Sequence, residues 1–284
     1  MVTLNNHEEK ISSFKPIFKK NLAKIKTELC ETLDSNYVSD DWAIRVPYSK
    51  DSTGNGLKST NRYFLPDIVV LPKTEEEIAH ICKIGLKYKI PVHPIGTNVN
   101  ISAMNIPYYG GIIIDFKRMD QILDIDLNGQ TITVEPHVSY ARAQAELEKI
   151  GMRINIPGAP NSVNIISNNL FLGLKFFTPK FGYGAMEVLG MEIVLPNGQI
   201  IKTGSLINQN NNLDGNDQPK GKISVQSWGL DLTGLPHQAW GGNGIVTKMC
   251  VKIYPITEQI EYLCYGFKSL ETANRIMTEV CAQD

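Results

Sequence analysis

Apolar and polar residues fall into a legible pattern from Pro66 onward. The β-branched run Ile68–Leu71 predicts a short buried strand. Thr74 stands three residues before Glu77, the spacing of a capping box, and opens a predicted helix that runs to Tyr88. Val92–Ile95 is the next predicted strand and Ile112–Asp115 a third. Strand, helix, strand at this spacing is a βαβ unit, whose parallel strands deliver their loops to one edge. Ile122–Asp126 and Thr131–Glu135 then alternate across Asn128-Gly129, a hairpin signature. Tyr140–Ile150 reads as a helix closed by Gly151. A second hairpin pairs Val188–Leu195 with Gln199–Thr203 across Asn197-Gly198, and Gly244–Tyr254 reads as a strong strand. Tyr262–Phe267 and Leu270–Cys281 read as one more strand and helix.

The flanks and gaps are less regular. Phe14, Ile17, Phe18, Leu22, Ile25 and Leu29 recur at helical steps between lysines, so Ile11–Thr32 predicts an amphipathic helix with a solvated lysine face. Asp34–Thr60 is polar and turn-rich and predicts an irregular arm over the surface. Ile154–Tyr183 is rich in Asn, Pro, Gly and Phe with no clean period, and a stretch that long without its own pattern is usually functional. Asn208–Lys222 reads as a polar insertion.

The stretch Pro91–Asn105 organises the rest. It joins two predicted buried strands and gathers Gly96, Thr97, Asn98, Asn100 and Ser102. A loop of this kind can turn its backbone N–H groups onto an anion, most often a pyrophosphate. Most loops of this composition are ordinary turns. Its weight comes from the context downstream.

Composition narrows the function classes. A 284-residue chain, 42% hydrophobic and 20% charged, has the profile of a soluble globular protein of one large or two ordinary domains. A formal charge of -1 offers no basic excess for nucleic acid. The five cysteines (Cys30, Cys82, Cys250, Cys264 and Cys281) form no CxxC pair and predict reduced thiols without zinc. The first residues carry no apolar leader, and no window reaches membrane-spanning length, so the expected address is the cytoplasm.

Read in order, these elements resemble the flavin-binding part of the vanillyl-alcohol oxidase / p-cresol methylhydroxylase family. The likeness rests on LPDIVVLPKTEEEIAHICKIGLKYKIPV (Leu65–Val92), GIIIDFKRMDQILDID (Gly111–Asp126) and TITVEPHVSYARAQAELEKIG (Thr131–Gly151). It continues in FTPKFGYGAMEVLGMEIVLPNGQIIKTG (Phe177–Gly204) and GIVTKM (Gly244–Met249), and covers roughly Leu65–Pro255. GIVTKM leans toward the alkylphenol-oxidising branch and SDDWAIRVPYSKD (Ser39–Asp51) toward the 2-hydroxy-acid dehydrogenases, which leaves the branch open.

The resemblance implies an α+β fold. It implies a PCMH-type FAD-binding domain (61–257) of two α/β subdomains with FAD between them, after an N-terminal helix and arm (1–60) and before the first βα unit of an incomplete cap domain (258–284). Carried over by position, Pro94, Ile95, Gly96, Thr97, Asn98, Val99, Asn100 and Ile101 would hold the pyrophosphate. Asn168, Asn169, Gly173, Phe181 and Gly182 would lie along the ribityl chain and isoalloxazine, with backbone contacts from Ile245 and Val246. Gly158 falls where alkylphenol oxidisers carry an aspartate by the flavin, and is counted with the cofactor-lining residues. Asn100 and Ser102 replace loop glycines, of which asparagine is the easier fit to a left-handed conformation. Thr97 and Asn98 follow Gly96 where members with an N-terminal covalent flavin carry histidine, and His93 reads as packed, so the implied FAD is non-covalent.

Other candidates rank lower. His137, after Glu135-Pro136, reads as a turn residue, and the run Phe171, Phe176, Phe177 and Phe181 as core beneath the flavin. Lys175 and Lys180 suit either a phosphate or solvent. His237, just before Gly241-Gly242, is a weak candidate for the proton acceptor beside the substrate. No metal-ligand cluster is evident. The implied activity is FAD-dependent oxidation of a small organic substrate, either an alkylphenol or aromatic alcohol or a 2-hydroxy acid, by hydride transfer to flavin N5. A lone strand and helix cannot bury both apolar faces, so a second polypeptide is expected to complete the cap. The alternative is a non-catalytic FAD-binding accessory subunit or a truncated remnant.

Overall fold

The computed structural model describes residues 17–51, 64–100, 103–171, 173–210, 230–239, 241–257, 261 and 264–282. A single 3-10 turn, Ile17–Asn21, leads into helix α1 (Leu22–Thr32), so the described part of the amphipathic run is not one continuous α-helix. The arm that follows is more structured than its composition predicts. It contributes β1 (Val38–Ser39), which adds antiparallel to a sheet edge, and one turn of helix, α2 (Trp42–Arg45), capped by the Asp41 side chain.

The βαβ unit forms as expected from β2 (Ile68–Val70), α3 (Glu75–Tyr88), β3 (Val92–Ile95) and β4 (Ile112–Asp115). The order is β1-β2-β4-β3, with β2, β4 and β3 parallel and β3 at the edge. Thr74 caps α3 by accepting from the Glu77 N–H, while the Glu77 carboxylate accepts from Lys73 N–H at 2.6 Å. Three glutamates in the first turn sit well against the positive end of the helix. Strand alternation splits the apolar residues between two faces. Ile68, Val70, Ile112 and Ile114 pack beneath α1 and α3, whereas Val69, Ile95 and Ile113 pack with Tyr48 on the other side. Both faces are thus covered, as a parallel sheet requires.

The second subdomain is antiparallel throughout. It comprises β5 (Ile122–Asp126), β6 (Thr131–Val134), α4 (Tyr140–Glu148), β7 (Met152–Arg153), α5 (Ile165–Leu170), α6 (Thr178–Phe181), β8 (Val188–Val194), β9 (Ile200–Lys202), β10 (Ile245–Lys252) and β11 (Tyr254–Pro255). Five strands run β5-β6-β10-β8-β9, and β11 pairs with β7 apart from them. In the first hairpin the left-handed residue is Gln130, not Asn128 or Gly129, because the Asp126 carboxylate accepts from both turn N–H groups and moves the bend along by one. In the second, Gly198 takes the positive φ that the sequence predicts. Ile132, Tyr140, Leu147, Ile165, Met191 and Met249 fill this core.

The two halves interlock. Val194 and Ile245, at the ends of β8 and β10, pack into the first core, and Lys248 bridges Glu75 on α3 (2.7 Å) and Glu192 on β8 (3.0 Å). At the far end α7 (Leu270–Cys281) forms, capped by Ser269, and buries none of its residues. The strand expected over Tyr262–Phe267 is not formed in its described part, residues 264–267, where no strand among the described residues pairs with it. The insertion Asn208–Lys222 lies almost entirely outside the described residues.

Candidate cofactor cleft

Strand β3 ends at the open edge of its sheet and runs straight into Gly96. Beside it is a cavity of about 480 Å³ walled by Val92, His93, Pro94, Gly96, residues 103–105 and Tyr108 on one side, and by Asn164, Ser167, Phe171 and Val246 on the other. A second, mainly apolar cavity of about 420 Å³ lies between α3 (Cys82, Gly85, Leu86) and Val194-Pro196. The two share Val92, Gly241, Gly242, Gly244 and Ile245, and so make one elongated cleft between the subdomains. Burial in the apolar lobe pushes the Cys82 thiol up to about 11, so it stays protonated at neutral pH.

Glycine at 96 is a matter of space. A β-carbon there would fall 2.0 Å from Asn164 Nδ2. Asn164 is held in place because its Oδ1 caps α5, accepting from Ser167 N–H at 2.7 Å. The bend of the loop falls at Asn98 and Ala103, both with φ of 57°, rather than at Asn100 as expected; Ile101 and Ser102 lie outside the described residues. Asn98 tolerates that conformation better than most residues, and its Oδ1 accepts from Asn105 at 3.4 Å. Ala103 N–H donates to Asp51 at 2.7 Å, which pins the loop to the N-terminal arm.

The carried-over residues divide into two groups. Pro94, Gly96, Ile245 and Val246 line the cleft directly. Ile95 points into the sheet core, and Thr97, Asn98, Val99 and Asn100 continue the loop beyond it without lining the cavity. Asn168 and Asn169 stand on α5 beside the cleft, each with its Oδ1 3.1 Å from the Tyr140 hydroxyl. Asn169 is fully buried, with its amide against the Met249 sulfur. Gly173 lies behind them, where a β-carbon would meet Gly184 and Asn168, while Phe181 stacks on Tyr254 at 4.0 Å and precedes the left-handed Gly182. Gly158 sits in an exposed turn where a β-carbon would meet nothing within 4 Å, and it does not line the cleft. Phe171 lines the cleft instead of lying in a core, and Asn164 was missed although its spacing to Ser167 is that of an N-cap.

Behind α5 lies a buried polar chain. Lys175 and Glu187 pair with both side chains sealed from solvent, and Glu187 also accepts from Asn155 (2.8 Å) and Tyr254 (3.1 Å). Burial holds the Lys175 ammonium below its ordinary range and pushes the Tyr140 hydroxyl well above its own. Lys175 therefore serves the interior and does not reach out to a phosphate. His237 donates from Nδ1 to the Thr233 carbonyl (2.9 Å), while its Nε2 is enclosed without a partner among the described residues. Burial lowers its pKa, and it does not line the cleft; its neighbour Pro236 does. Among the described residues no group of three His, Cys, Asp or Glu side chains could hold a metal ion, and no helix is long and apolar enough to cross a membrane.

An elongated groove between a parallel and an antiparallel sheet, with glycine where backbone must come close and an apolar lobe at one end, suits an extended dinucleotide. Residues 66–204 match the family of FAD binding domains, and the chain carries an FAD-binding domain of that family. It is 30% identical over 263 residues to glycolate oxidase subunit GlcD of Bacillus subtilis, covering 91% of this chain and 50% of that protein. It is 28% identical over 239 residues to the probable mitochondrial D-lactate dehydrogenase of Danio rerio, covering 83% and 44%. The crystal structure of p-cresol methylhydroxylase with substrate bound shares the fold, with a TM-score of 0.71 at 24% identity over 84% of this chain and 44% of that one. The PCMH-type α+β fold expected from the sequence is therefore confirmed. The chain spans about half the length of the curated relatives it matches.

Proposed function

We propose that this chain is the cofactor-binding part of an FAD-dependent oxidoreductase acting on a small 2-hydroxy acid, with FAD held non-covalently. The observation that carries the proposal is the cleft itself. Its two lobes, glycine-lined neck and loop at the carboxyl end of a parallel strand fit an extended dinucleotide with its pyrophosphate beside Pro94 and Gly96. When bound, FAD supplies a hydride acceptor at flavin N5. The chain's own contribution is to hold it: Gly96 lets the loop approach Asn164, Val246 and Ile245 line one wall, and Leu86 and Ile90 line the apolar lobe.

Two observations favour the 2-hydroxy acid over an alkylphenol. Both glycolate and D-lactate, named in the relatives above, are 2-hydroxy acids. Gly158, where the alkylphenol chemistry would want an aspartate, lies in an exposed turn with no side chain to act. Among the described residues no Asp or Glu lines the cleft. A second polypeptide that completes the cap is the proposed source of the proton acceptor, in line with the subunit naming of the Bacillus relative.

The test is the visible spectrum of protein purified from its host, before and after acid precipitation, with identification of whatever co-purifies. A flavin band that leaves with the supernatant, a companion chain, and reduction of the band by D-lactate or glycolate only in the complex are expected. A band that stays in the pellet would overturn the non-covalent reading, and a chain that takes FAD but is never reduced in any complex would make it an accessory subunit.

A further inference from the structure

Among the described residues His93 is the one imidazole in the wall of the cleft, and its chemistry is fixed from behind. Its Nε2 lies 3.1 Å from the carbonyl oxygen of Gly110. A carbonyl only accepts, so Nε2 carries the proton and the neutral ring leaves Nδ1 as a lone-pair acceptor. Burial lowers the pKa of the ring, which keeps it in this form at neutral pH. Nδ1 has no partner among the described residues. The ring stands one residue before Pro94 and three before Gly96, beside the loop read above as the pyrophosphate cradle.

An acceptor on a residue that lines the cleft can take a donor from a bound molecule, and the phosphates of FAD are not donors. The donors nearest a dinucleotide's pyrophosphate are the hydroxyls of the sugars on either side. We propose that His93 is a specificity residue for the cofactor, with Nδ1 accepting a hydrogen bond from an FAD sugar hydroxyl adjacent to the pyrophosphate. The proposal rests on the reading of the loop that opens at Gly96 as the pyrophosphate loop.

The experiment is equilibrium binding of FAD, ADP, FMN and 2′-deoxy-ADP to the flavin-free full chain, followed by fluorescence. His93→Leu is expected to weaken FAD binding about fivefold to tenfold, while His93→Asn, which can still accept, stays within about threefold of wild type. The loss should reappear with ADP if the ribose is the donor and with FMN if the ribityl chain is. If it is the ribose 2′-hydroxyl, wild type but not His93→Leu will discriminate against 2′-deoxy-ADP. A nitrogen NMR measurement on wild type needs no variant: the Nδ1 resonance should move on adding FAD while Nε2 holds. Equal losses in the Asn and Leu variants, or an unmoved Nδ1 resonance in FAD-saturated protein, would overturn the proposal. Wild-type protein that binds neither FAD nor ADP would instead bring down the pyrophosphate-loop reading.

Discussion

The ammonium of Lys175 donates to the carboxylate of Glu187 at a point where neither side chain touches water. Two buried charges cost more to desolvate than surface ions, and the pair persists because Asn155 and Tyr254 satisfy the other carboxylate oxygen. Removing one partner leaves the other charged and alone. Lys175→Met should therefore destabilise by about 3–5 kcal/mol, and the double variant Lys175→Met/Glu187→Met should recover a large part of that loss. Urea midpoints of the two single variants and the double variant give the coupling directly. Additive losses would show that the two charges do not depend on one another.

Gly96 and Asn164 meet closely between the subdomains. An alanine at 96 would place its methyl 2.0 Å from the Asn164 amide and push that side chain off the N-terminus of α5. Gly96→Ala should lose FAD affinity by at least tenfold and about 1 kcal/mol of stability from the broken cap. Glycine is nearly as good an N-cap as asparagine, so Asn164→Gly in the Gly96→Ala background should restore the space and most of the stability. Thermal melts of the three variants, with and without FAD, check this. A harmless Gly96→Ala would mean that the loop and α5 are not in contact.

How much of this was legible in the sequence depends on the range of the forces involved. Strands β2, β3 and β4 and the helix α3 were, because a β-branched run and the Thr74–Glu77 spacing act over a few residues. The hairpin bend at Gln130 was not, since it follows from the reach of one side chain, Asp126, and not from the Asn-Gly pair. The same holds in the cleft. Gly96 was found from loop composition and Pro94 from the resemblance, but Asn164, Ser167 and Phe171 enter from a segment without periodicity, brought there by α5. Asn169 shows the reverse: a position on the cofactor side by resemblance, yet a helical residue turned into the core against Met249.

Ala103 offers a test of the loop itself. It holds a left-handed conformation, which for a residue with a β-carbon costs roughly 1–2 kcal/mol, and its N–H is already fixed by Asp51. Glycine relieves that strain but adds freedom to the unfolded chain. The net expectation for Ala103→Gly is a gain of about 0.5 kcal/mol, read as a raised melting temperature. A loss of similar size, the ordinary result at an extended or helical alanine, would show that the loop does not bend at this point.

The acid side of the stability curve should carry the mark of His93. Burial holds its pKa below the ordinary value of 6.5, so the folded ring takes up a proton less readily than the unfolded one. Below about pH 6.5 the unfolded chain thus binds more protons, and stability falls with falling pH until the folded ring is protonated as well. His237 is lowered in the same direction by its own burial and adds to the slope. Glu75 and Asp120, whose pKa values are lowered, lose their contribution at lower pH, and Glu135, whose pKa is raised by burial, acts in the opposite sense. All of these are common to wild type and variant and cancel in a comparison. His93→Asn should therefore show a shallower loss of stability between pH 7 and 5 than wild type, roughly 1.4 kcal/mol for each unit by which the folded pKa is depressed. Denaturant unfolding of the two proteins at several pH values measures the difference. Parallel curves would mean that the ring at 93 titrates as freely in the fold as in the unfolded chain, and that it is open to water and not enclosed by the cleft.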